Sequence, residues 1–158
     1  MKKTVTVTCT AQTEAVGFEL ARALDSSGIK RAFIALFGEM GVGKTAFTRG
    51  FASYFGIKCV KSPTYTVLNE YRGDVKIHHF DFYRITDGDD LYSIGYDDVI
   101  EDDGYCVGEW SENIVDFLPT DTVRVTVSRV FTGDVSDTEA SVRRITVESD
   151  KFDFDLRI

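Results

Sequence analysis

The sequence predicts an α/β fold with three layers, in which helices cover both faces of a mainly parallel central sheet with antiparallel hairpin additions. Strand and helix patterns alternate over the first third of the chain, and one continuous apolar run there is typical of a strand buried on both faces. Pairs of short strands joined by turn residues follow. With 158 residues, the chain has about the length of one domain, predicted over residues 1–158.

The first strand is predicted at residues 5–9, where Val5, Val7 and Cys9 alternate with threonines. Thr10 or Thr13 is expected to cap the following helix, which should end at Gly28. The apolar run over residues 32–37 predicts the buried strand. A glycine-rich loop comes next, then a helix over residues 46–55 that Gly56 closes.

The second half predicts a hairpin, with strands at 65–71 and 76–83 around a turn at 72–74. Short helices are expected at 89–94 and 97–101, because aspartate is favoured in first turns. A core strand at 105–108 ends in Glu109, and a short helix runs from Ser111 to near Pro119. Two last strands are predicted at 122–131 and 142–148, around a turn near Gly133 and Asp134.

Residues 38–45 match the P-loop pattern G-x-x-x-x-G-K-[ST], and they follow a buried strand and precede a helix, as this motif requires. Its glycines let backbone N–H groups turn inward around phosphate oxygens, and the helix N-terminus adds a positive dipole end. Lys44 is predicted to reach the β- and γ-phosphates, and the Thr45 hydroxyl to be a ligand of Mg²⁺. The predicted fold is therefore that of a P-loop NTPase.

A P-loop protein needs a carboxylate near Mg²⁺, usually at the end of a neighbouring strand. Asp81 and Glu109 both qualify, and the residues alone do not rank them. His78 and His79 should point to opposite sides of their strand, so they cannot share a metal; we interpret them as structural, or one as near the site. Trp110 is expected to pack in the core rather than to shield the site from water.

Three classes of P-loop protein compete. A GTPase needs an N-K-x-D stretch, which the sequence lacks, and a nucleotide kinase needs an arginine-rich lid, whereas the region after the P-loop helix holds little arginine. A small ATPase acting as a switch is favoured, with Thr64 as a candidate sensor of the γ-phosphate. A small-molecule or nucleoside kinase stays as the alternative, and a module that binds nucleotide without hydrolysing it is a third hypothesis.

Four stretches resemble the TsaE (YjeE) family, small ATPases of tRNA threonylcarbamoyladenosine biosynthesis. They are residues 38–45 with 47–50, residues 62–66 (Ser-Pro-Thr-Tyr-Thr) running to 69–71, residues 79–84 (His-Phe-Asp-Phe-Tyr-Arg), and residues 104–110. Their order and spacing also match, over roughly residues 10–130. Mild departures are Ala46, where a second threonine is common, and Ser111-Glu112, where proline is frequent.

The resemblance implies a cytoplasmic protein that binds ATP with Mg²⁺ and hydrolyses it slowly alone. Its implied partners are the threonylcarbamoyl transferase and that enzyme's dimerisation partner, whereas direct contact with tRNA stays open. Lys44, Asp81 and Glu109 carry the implied catalytic roles, Thr45 and Glu109 hold Mg²⁺, and the loop with Ser62 and Thr64 is the implied switch. The predicted nucleotide-binding set is Thr13, Gly38, Glu39, Met40, Gly41, Val42, Gly43, Lys44, Thr45 and Ala46; for Thr13, a helix cap is an equal alternative.

Charge is distributed unevenly: residues 73–121 hold 14 of the 26 acidic side chains and 2 of the 18 basic ones. The net charge of −8 argues against a general nucleic-acid binder, which needs a basic face. Three widely spaced cysteines favour reduced thiols in a cytosolic protein, and neither a signal peptide nor a membrane span is expected. The acidic run at 87–103 is interpreted as a solvated surface, or more sharply as a docking site for a basic partner.

Overall fold

The computed structural model describes residues 1–63, 65–131 and 142–157. Its elements, in chain order, are β1 (Lys2–Val7), α1 (Thr10–Ser26), β2 (Arg31–Phe37), α2 (Lys44–Tyr54), β3 (Leu68–Arg72), β4 (Lys76–Asp81), α3 (Gly88–Ser93), α4 (Tyr96–Glu101), β5 (Gly104–Glu109), a 3₁₀ helix (Ser111–Phe117), β6 (Thr122–Arg129) and β7 (Arg143–Glu148). The predicted turn at Gly133 and Asp134 lies outside the described residues.

The strands form one seven-stranded sheet in the order β1-β7-β6-β2-β5-β4-β3. Its centre is parallel, because β2 pairs with both β5 and β6, and β4 pairs with β5. The two edges are antiparallel hairpins, β3–β4 on one side and β6–β7 with β1 on the other. The predicted fold class, a mainly parallel sheet with antiparallel additions, is confirmed.

Strand β2 carries the core on both of its faces, as its unbroken apolar sequence predicts. Ile34 and Leu36 pack into a large cluster with α1 and α2, whereas Phe33 and Ala35 pack into a second cluster on the opposite face. That second cluster includes residues of α3, α4 and the 3₁₀ helix. Two helical layers therefore enclose the sheet, and the loop after β2 emerges from its middle.

Two glycines let α1 and α2 cross at close range. A Cβ atom on Gly17 would lie 2.2 Å from the Phe47 carbonyl oxygen, and one on Gly50 would lie 1.9 Å from the Glu14 carbonyl oxygen. Both distances are too short for any side chain, so only glycine permits this approach. The crossing brings the first turn of α1 against the N-terminus of α2, where the glycine-rich loop ends.

Several predicted element boundaries are wrong. Strand β1 ends at Val7, so Cys9 is not a strand residue but the exposed N-cap of α1. Thr10 is the first helical residue and Thr13 lies inside the helix, and no described side chain caps its N-terminus. The strand predicted from residue 65 begins at Leu68, because residues 65–67 form a turn and bend before it.

The three cysteines are free thiols, as predicted. Burial raises the pKa of the Cys106 thiol to about 12, which makes it a poor nucleophile at neutral pH. Among the residues that the structure describes, no helix has the length and apolar character needed to cross a membrane.

Candidate functional site

The loop after β2 has the backbone shape that phosphate binding requires. Gly38, Gly41 and Gly43 have φ angles of +142°, +74° and +115°, values that side chains other than hydrogen rarely permit. Gly43 is the N-cap of α2, so the first N–H groups of that helix open toward the loop. The local sequence thus builds a concave backbone loop at a helix N-terminus, a geometry suited to bind an anion.

Lys44 is held inside this loop with only 5% of its surface exposed. Its ammonium group donates to the carbonyl oxygens of Gly38 and Glu39, the latter at 2.8 Å. Burial lowers the Lys44 pKa, while the negative charges of Glu112 and Glu109 oppose that shift. A buried cation at the N-terminus of a helix is suited to bind a polyanion.

Glu109 lies directly beside the loop. Its Oε1 accepts a hydrogen bond of 2.8 Å from the Thr45 hydroxyl, and only 4% of the residue is exposed. Asp81 occupies the position paired with Glu109 on the neighbouring parallel strand. The structure therefore brings both predicted acids to one edge of the sheet, with Glu109 in contact with Thr45 and Asp81 one strand farther from the loop.

Asp81 is a buried carboxylate whose pKa is raised, chiefly because burial penalises its charged form. A hydrogen bond of 2.9 Å from the Tyr83 backbone N–H to Oδ1 works against this shift, and the charge of Glu109 adds to it. A carboxyl group with raised proton affinity in a cleft is suited to accept a proton.

His79 is a site residue that sequence reasoning left undecided. It is fully buried, and its Nε2 lies 2.8 Å from Oε2 of Glu109. His78 points the other way, toward Asp102 at 3.1 Å, as strand alternation predicts. Its position could have identified His79 as a residue near the site, because it comes two residues before Asp81 and so lies on the same side of the strand.

Trp110 forms a wall of the site rather than packing only in the core, so the expected core role is too narrow. The Lys44 ammonium lies 4.1 Å from the centre of a Trp110 ring, and the Tyr83 ring packs against the same indole at 4.9 Å between centroids. Trp110 adopts a left-handed backbone conformation with φ of +59°. That turn directs the chain out of β5 immediately after Glu109.

These groups border one cavity of about 460 Å³. Its lining includes five residues of the loop at 38–45, both acids, the aromatic wall and one residue of the predicted switch. The lining residues are Met40, Gly41, Gly43, Lys44, Thr45, Ala46, Ser62, Asp81, Tyr83, Arg84, Glu109 and Trp110. Thr64 lies outside the described residues. Val42 is fully buried and packs in the core, so its side chain does not face the cavity.

The outer side of the loop holds polar groups from α1 and from the β6–β7 hairpin. The Thr13 methyl carbon lies 3.6 Å, and an Arg143 side-chain carbon 4.0 Å, from where a Gly43 Cβ would be. Thr13 Oγ1 and Arg143 Nε are both buried without a hydrogen-bond partner among the described residues. Arg129 pairs with Glu39 at 3.4 Å. Sequence reasoning named Thr13 but missed both arginines, because nothing local to the hairpin ties them to the loop.

The donor set suits Mg²⁺. This ion prefers oxygen ligands, takes only one or two protein carboxylates and fills its remaining positions with water and phosphate oxygens. The Thr45 hydroxyl and Glu109 carboxylate, already joined by a hydrogen bond, provide such a pair. Within residues 1–63, 65–131 and 142–157, no three His, Cys, Asp or Glu side chains form a metal-binding group of their own. A metal held by Thr45 and Glu109 would therefore take its remaining ligands from water or from a bound molecule.

The sequence matches the family described as "Threonylcarbamoyl adenosine biosynthesis protein TsaE" over residues 7–134. Proteins named "tRNA threonylcarbamoyladenosine biosynthesis protein TsaE" are similar to it. One from Bacillus subtilis is 37% identical over 98 residues, covering 61% of each chain. One from Haemophilus influenzae is 40% identical over 62% of this chain and 63% of its own. One from Streptomyces coelicolor is 34% identical over 84% of this chain and 86% of its own.

The chain thus spans about three fifths of the length of the Bacillus and Haemophilus relatives. Among solved structures, the crystal structure of Bacillus subtilis YdiB is similar with a TM-score of 0.69 and 27% sequence identity. That match covers 93% of this chain and 84% of YdiB, so the shared fold extends well beyond the glycine-rich loop.

Proposed function

Since the chain belongs to the TsaE family, as the four motifs predict, we propose that it is an ATP-binding and slowly hydrolysing switch subunit of tRNA threonylcarbamoyladenosine biosynthesis. It acts with the threonylcarbamoyl transferase and that enzyme's dimerisation partner, in the cytoplasm, and does not transfer the threonylcarbamoyl group itself. The observation that carries the ATPase proposal is the 2.8 Å hydrogen bond between Thr45 and Glu109 beside the glycine-rich loop.

The glycine-rich loop and Lys44 bind the phosphates. Backbone N–H groups at the N-terminus of α2 face the β- and γ-phosphates, and the buried ammonium of Lys44 adds a full positive charge. The Lys44 contacts with the Gly38 and Glu39 carbonyl oxygens hold the ammonium in place, so phosphate binding does not have to order a free side chain.

Thr45 and Glu109 would hold the metal, which supplies charge neutralisation at the phosphate oxygens when bound. Asp81 stands one strand away, where it accepts a proton from, or orients, the attacking water. Its raised pKa favours the proton-accepting role. Trp110 and Tyr83, whose rings pack against each other in the cavity lining, would restrict the access of bulk water to the reacting groups.

The test is ATP hydrolysis measured with the protein alone, and then with the transferase and its dimerisation partner added. We expect slow release of free phosphate alone and strong stimulation in the complex. Lys44→Ala should lower turnover by about 100-fold or more, because it removes a charge that acts on the transferring group. Lys30→Ala is the matched control, since Lys30 pairs with Asp25 on the surface away from the cavity.

The alternatives give different results in the same assay. Transfer of phosphate to a nucleoside or sugar acceptor, above the rate of free phosphate release, would favour a kinase. Nucleotide binding without hydrolysis, even with both partners present, would favour a structural role of the nucleotide. Undiminished turnover in the Lys44→Ala protein would contradict the proposal.

A further inference from the structure

We propose that Tyr71 and His79 are positioning residues that couple residues 61–63 to the carboxylate of Glu109. The inference rests on the proposed ATPase function and adds how the Glu109 carboxylate is kept in a fixed position relative to residues 61–63. Three consecutive hydrogen-bonded contacts carry it: Glu109 with His79, His79 with Tyr71, and Tyr71 with the backbone of Lys61.

The first contact fixes Glu109. A carboxylate only accepts hydrogen bonds, so the Nε2 nitrogen of His79 carries the proton that points at Oε2, 2.8 Å away. Thr45 donates to the other oxygen, Oε1. The Glu109 carboxylate is therefore held from both sides, by the phosphate-binding loop and by strand β4, and His79 sets the rotation of its plane.

The second contact fixes His79. Its remaining nitrogen, Nδ1, lies 3.1 Å from the Tyr71 hydroxyl on the antiparallel edge strand β3. The imidazole is fully buried, so its ring nitrogens have these protein partners instead of water. A histidine with both nitrogens engaged keeps one ring orientation, as the histidines that support metal sites commonly do.

The third contact leads to the loop. The Lys61 backbone N–H donates to the Tyr71 hydroxyl oxygen at 3.1 Å, which leaves the hydroxyl proton for His79 Nδ1. The Lys61 carbonyl oxygen, 2.8 Å away, is the competing acceptor for that single proton. The next residue, Ser62, lines the same cavity as Glu109. Glu109 at one end of the relay therefore borders this cavity, and so does the residue next to Lys61 at the other end, although the path between them runs through the β3–β4 hairpin.

A separate backbone connection reaches the second acid. The Val67 N–H donates to the Pro63 carbonyl oxygen at 2.9 Å, and the Asp81 N–H donates to the Val67 carbonyl oxygen at 2.8 Å. Val67 has a φ of +63°, an unusual conformation for a β-branched residue. Residues 61–63 are thus tied to Glu109 through side chains and to Asp81 through the backbone.

The decisive variant is Tyr71→Phe, which removes one hydroxyl and leaves the ring. We expect the Mg²⁺ concentration for half-maximal ATP hydrolysis to rise several-fold, up to about 10-fold, as for other outer partners of metal ligands. The KM for ATP should stay within about twofold, because the loop and Lys44 still bind the phosphates. A general loss of structure would change both quantities together.

Variants of His79 test whether the contacts act in series. His79→Gln keeps an N–H donor for Glu109 but loses the partner of Tyr71, whereas His79→Leu loses both. We expect His79→Leu to have the larger effect on the Mg²⁺ requirement, and Tyr71→Phe to add nothing in that background. Non-additivity of this kind is the signature of residues that act through one another.

Hydrogen exchange gives a readout that needs no nucleotide. In His79→Leu, the Lys61 amide should exchange faster than in the wild type, although His79 does not touch Lys61. Tyr105→Phe is the matched control, because that hydroxyl also donates to a backbone carbonyl, at Ile29, outside the relay. It should leave both the Mg²⁺ requirement and Lys61 exchange unchanged.

Two results would overturn the relay: an unchanged Mg²⁺ requirement in Tyr71→Phe, or unchanged Lys61 exchange in His79→Leu. Failure of the proposed function would look different, since the wild-type protein itself would then show no hydrolysis. In that case the exchange measurement alone decides whether the relay exists.

Discussion

The molecule has two acidic regions, which differ in the burial of their carboxylates and in the partners of these groups. The acids at the ends of β4 and β5, Asp81 and Glu109, are buried beside a lysine and a cavity. The acids of residues 87–103 lie mostly on the surface, where several are already paired within the fold. The difference shows that the number of acidic residues in a segment does not locate the chemistry; their burial and partners do.

The pKa shifts of the two regions run in opposite directions. Burial raises the pKa of Asp81, so folding penalises its charge. In the surface run, the Lys76 ammonium, with the Asp103 backbone N–H and His78, lowers the pKa of Asp102 to about 2. The pKa of Asp90 is lowered as well, because the Thr86 backbone N–H and hydroxyl donate hydrogen bonds to its carboxylate. The surface acids thus stabilise their own segment, whereas burial makes the charged form of Asp81 costly for the protein without a bound ligand.

The largest expected effect is a loss of ATP hydrolysis when a buried acid, rather than a surface acid, is replaced. Glu109→Gln should lower Mg²⁺-dependent hydrolysis by about 100-fold while nucleotide binding changes by only a few-fold, because the carboxylate acts on the metal rather than on the loop. Steady-state kinetics with a parallel binding titration measure the two effects. Equal turnover in this variant would move the metal role to Asp81.

Asp81→Asn should have opposite effects on activity and stability. We expect turnover to fall by about 10-fold or more, because a proton acceptor is lost. The nucleotide-free protein should melt at a higher temperature at neutral pH, because the amide can still accept from the Tyr83 N–H without a buried charge. A lower melting temperature together with full activity would mean that Asp81 has only a structural role.

The pH dependence of stability should distinguish the two acids. Because the folded-state pKa of Asp81 is raised, its contribution to stability falls as pH rises from 3.8 through the folded-state value. Asp102 has a lowered pKa, so its contribution is present above 3.8 and is lost as pH falls toward 2. Denaturation curves of Asp81→Asn and Asp102→Asn between pH 2 and 7 should therefore deviate from the wild type with opposite slopes, for Asp102 below pH 3.8 and for Asp81 above it.

Asp102→Asn should cause a modest loss of stability, of about 1–3 °C in melting temperature, since its ion pairs are partly exposed. ATP hydrolysis should be unchanged. Within the run at 87–103, Asp102 thus has a role inside the fold, because its carboxylate is already engaged by Lys76 and His78. A change in nucleotide binding in Asp102→Asn would contradict the claim that the surface acids do not contribute to the candidate site.

The smallest effect is expected for Asp97→Asn combined with Asp98→Asn. Both residues lie in the first turn of α4 and face solvent. We expect no change in nucleotide binding, and a weaker, less salt-dependent association with a basic partner surface if this run is a docking site. Affinity measured at two salt concentrations tests the docking role, and unchanged affinity would leave only the solvated-surface interpretation.

Much of this organisation could be predicted from sequence, and the reasons are local. The apolar run before the glycine-rich loop identifies a strand buried on both faces, and the loop identifies the phosphate site. Asp81 and Glu109 were both named because each ends a strand, but their order of importance depends on which one contacts Thr45. That contact joins residues 64 positions apart, which no local pattern reveals.

The missed features are also long-range. Arg143 reaches the loop from a distant hairpin, and His79 reaches Glu109 across 30 residues of sequence. The glycines at positions 17 and 50 appear ordinary in a helical pattern, yet they decide how closely α1 and α2 cross and hence where Thr13 lies. The prediction that Thr13 caps helix α1 is wrong, because the helix begins three residues earlier, at Thr10.

The most direct test of the central claim, that the buried acids mark a Mg²⁺–nucleotide site, is a titration with ATP and Mg²⁺ followed by tryptophan fluorescence. Trp110 is the only tryptophan of the chain, and its ring lies 4.1 Å from the Lys44 ammonium. A saturable change is predicted in the wild type and in Asp97→Asn/Asp98→Asn, and its loss in Lys44→Ala. No change in the wild type, or an equal response in Lys44→Ala, would contradict the claim.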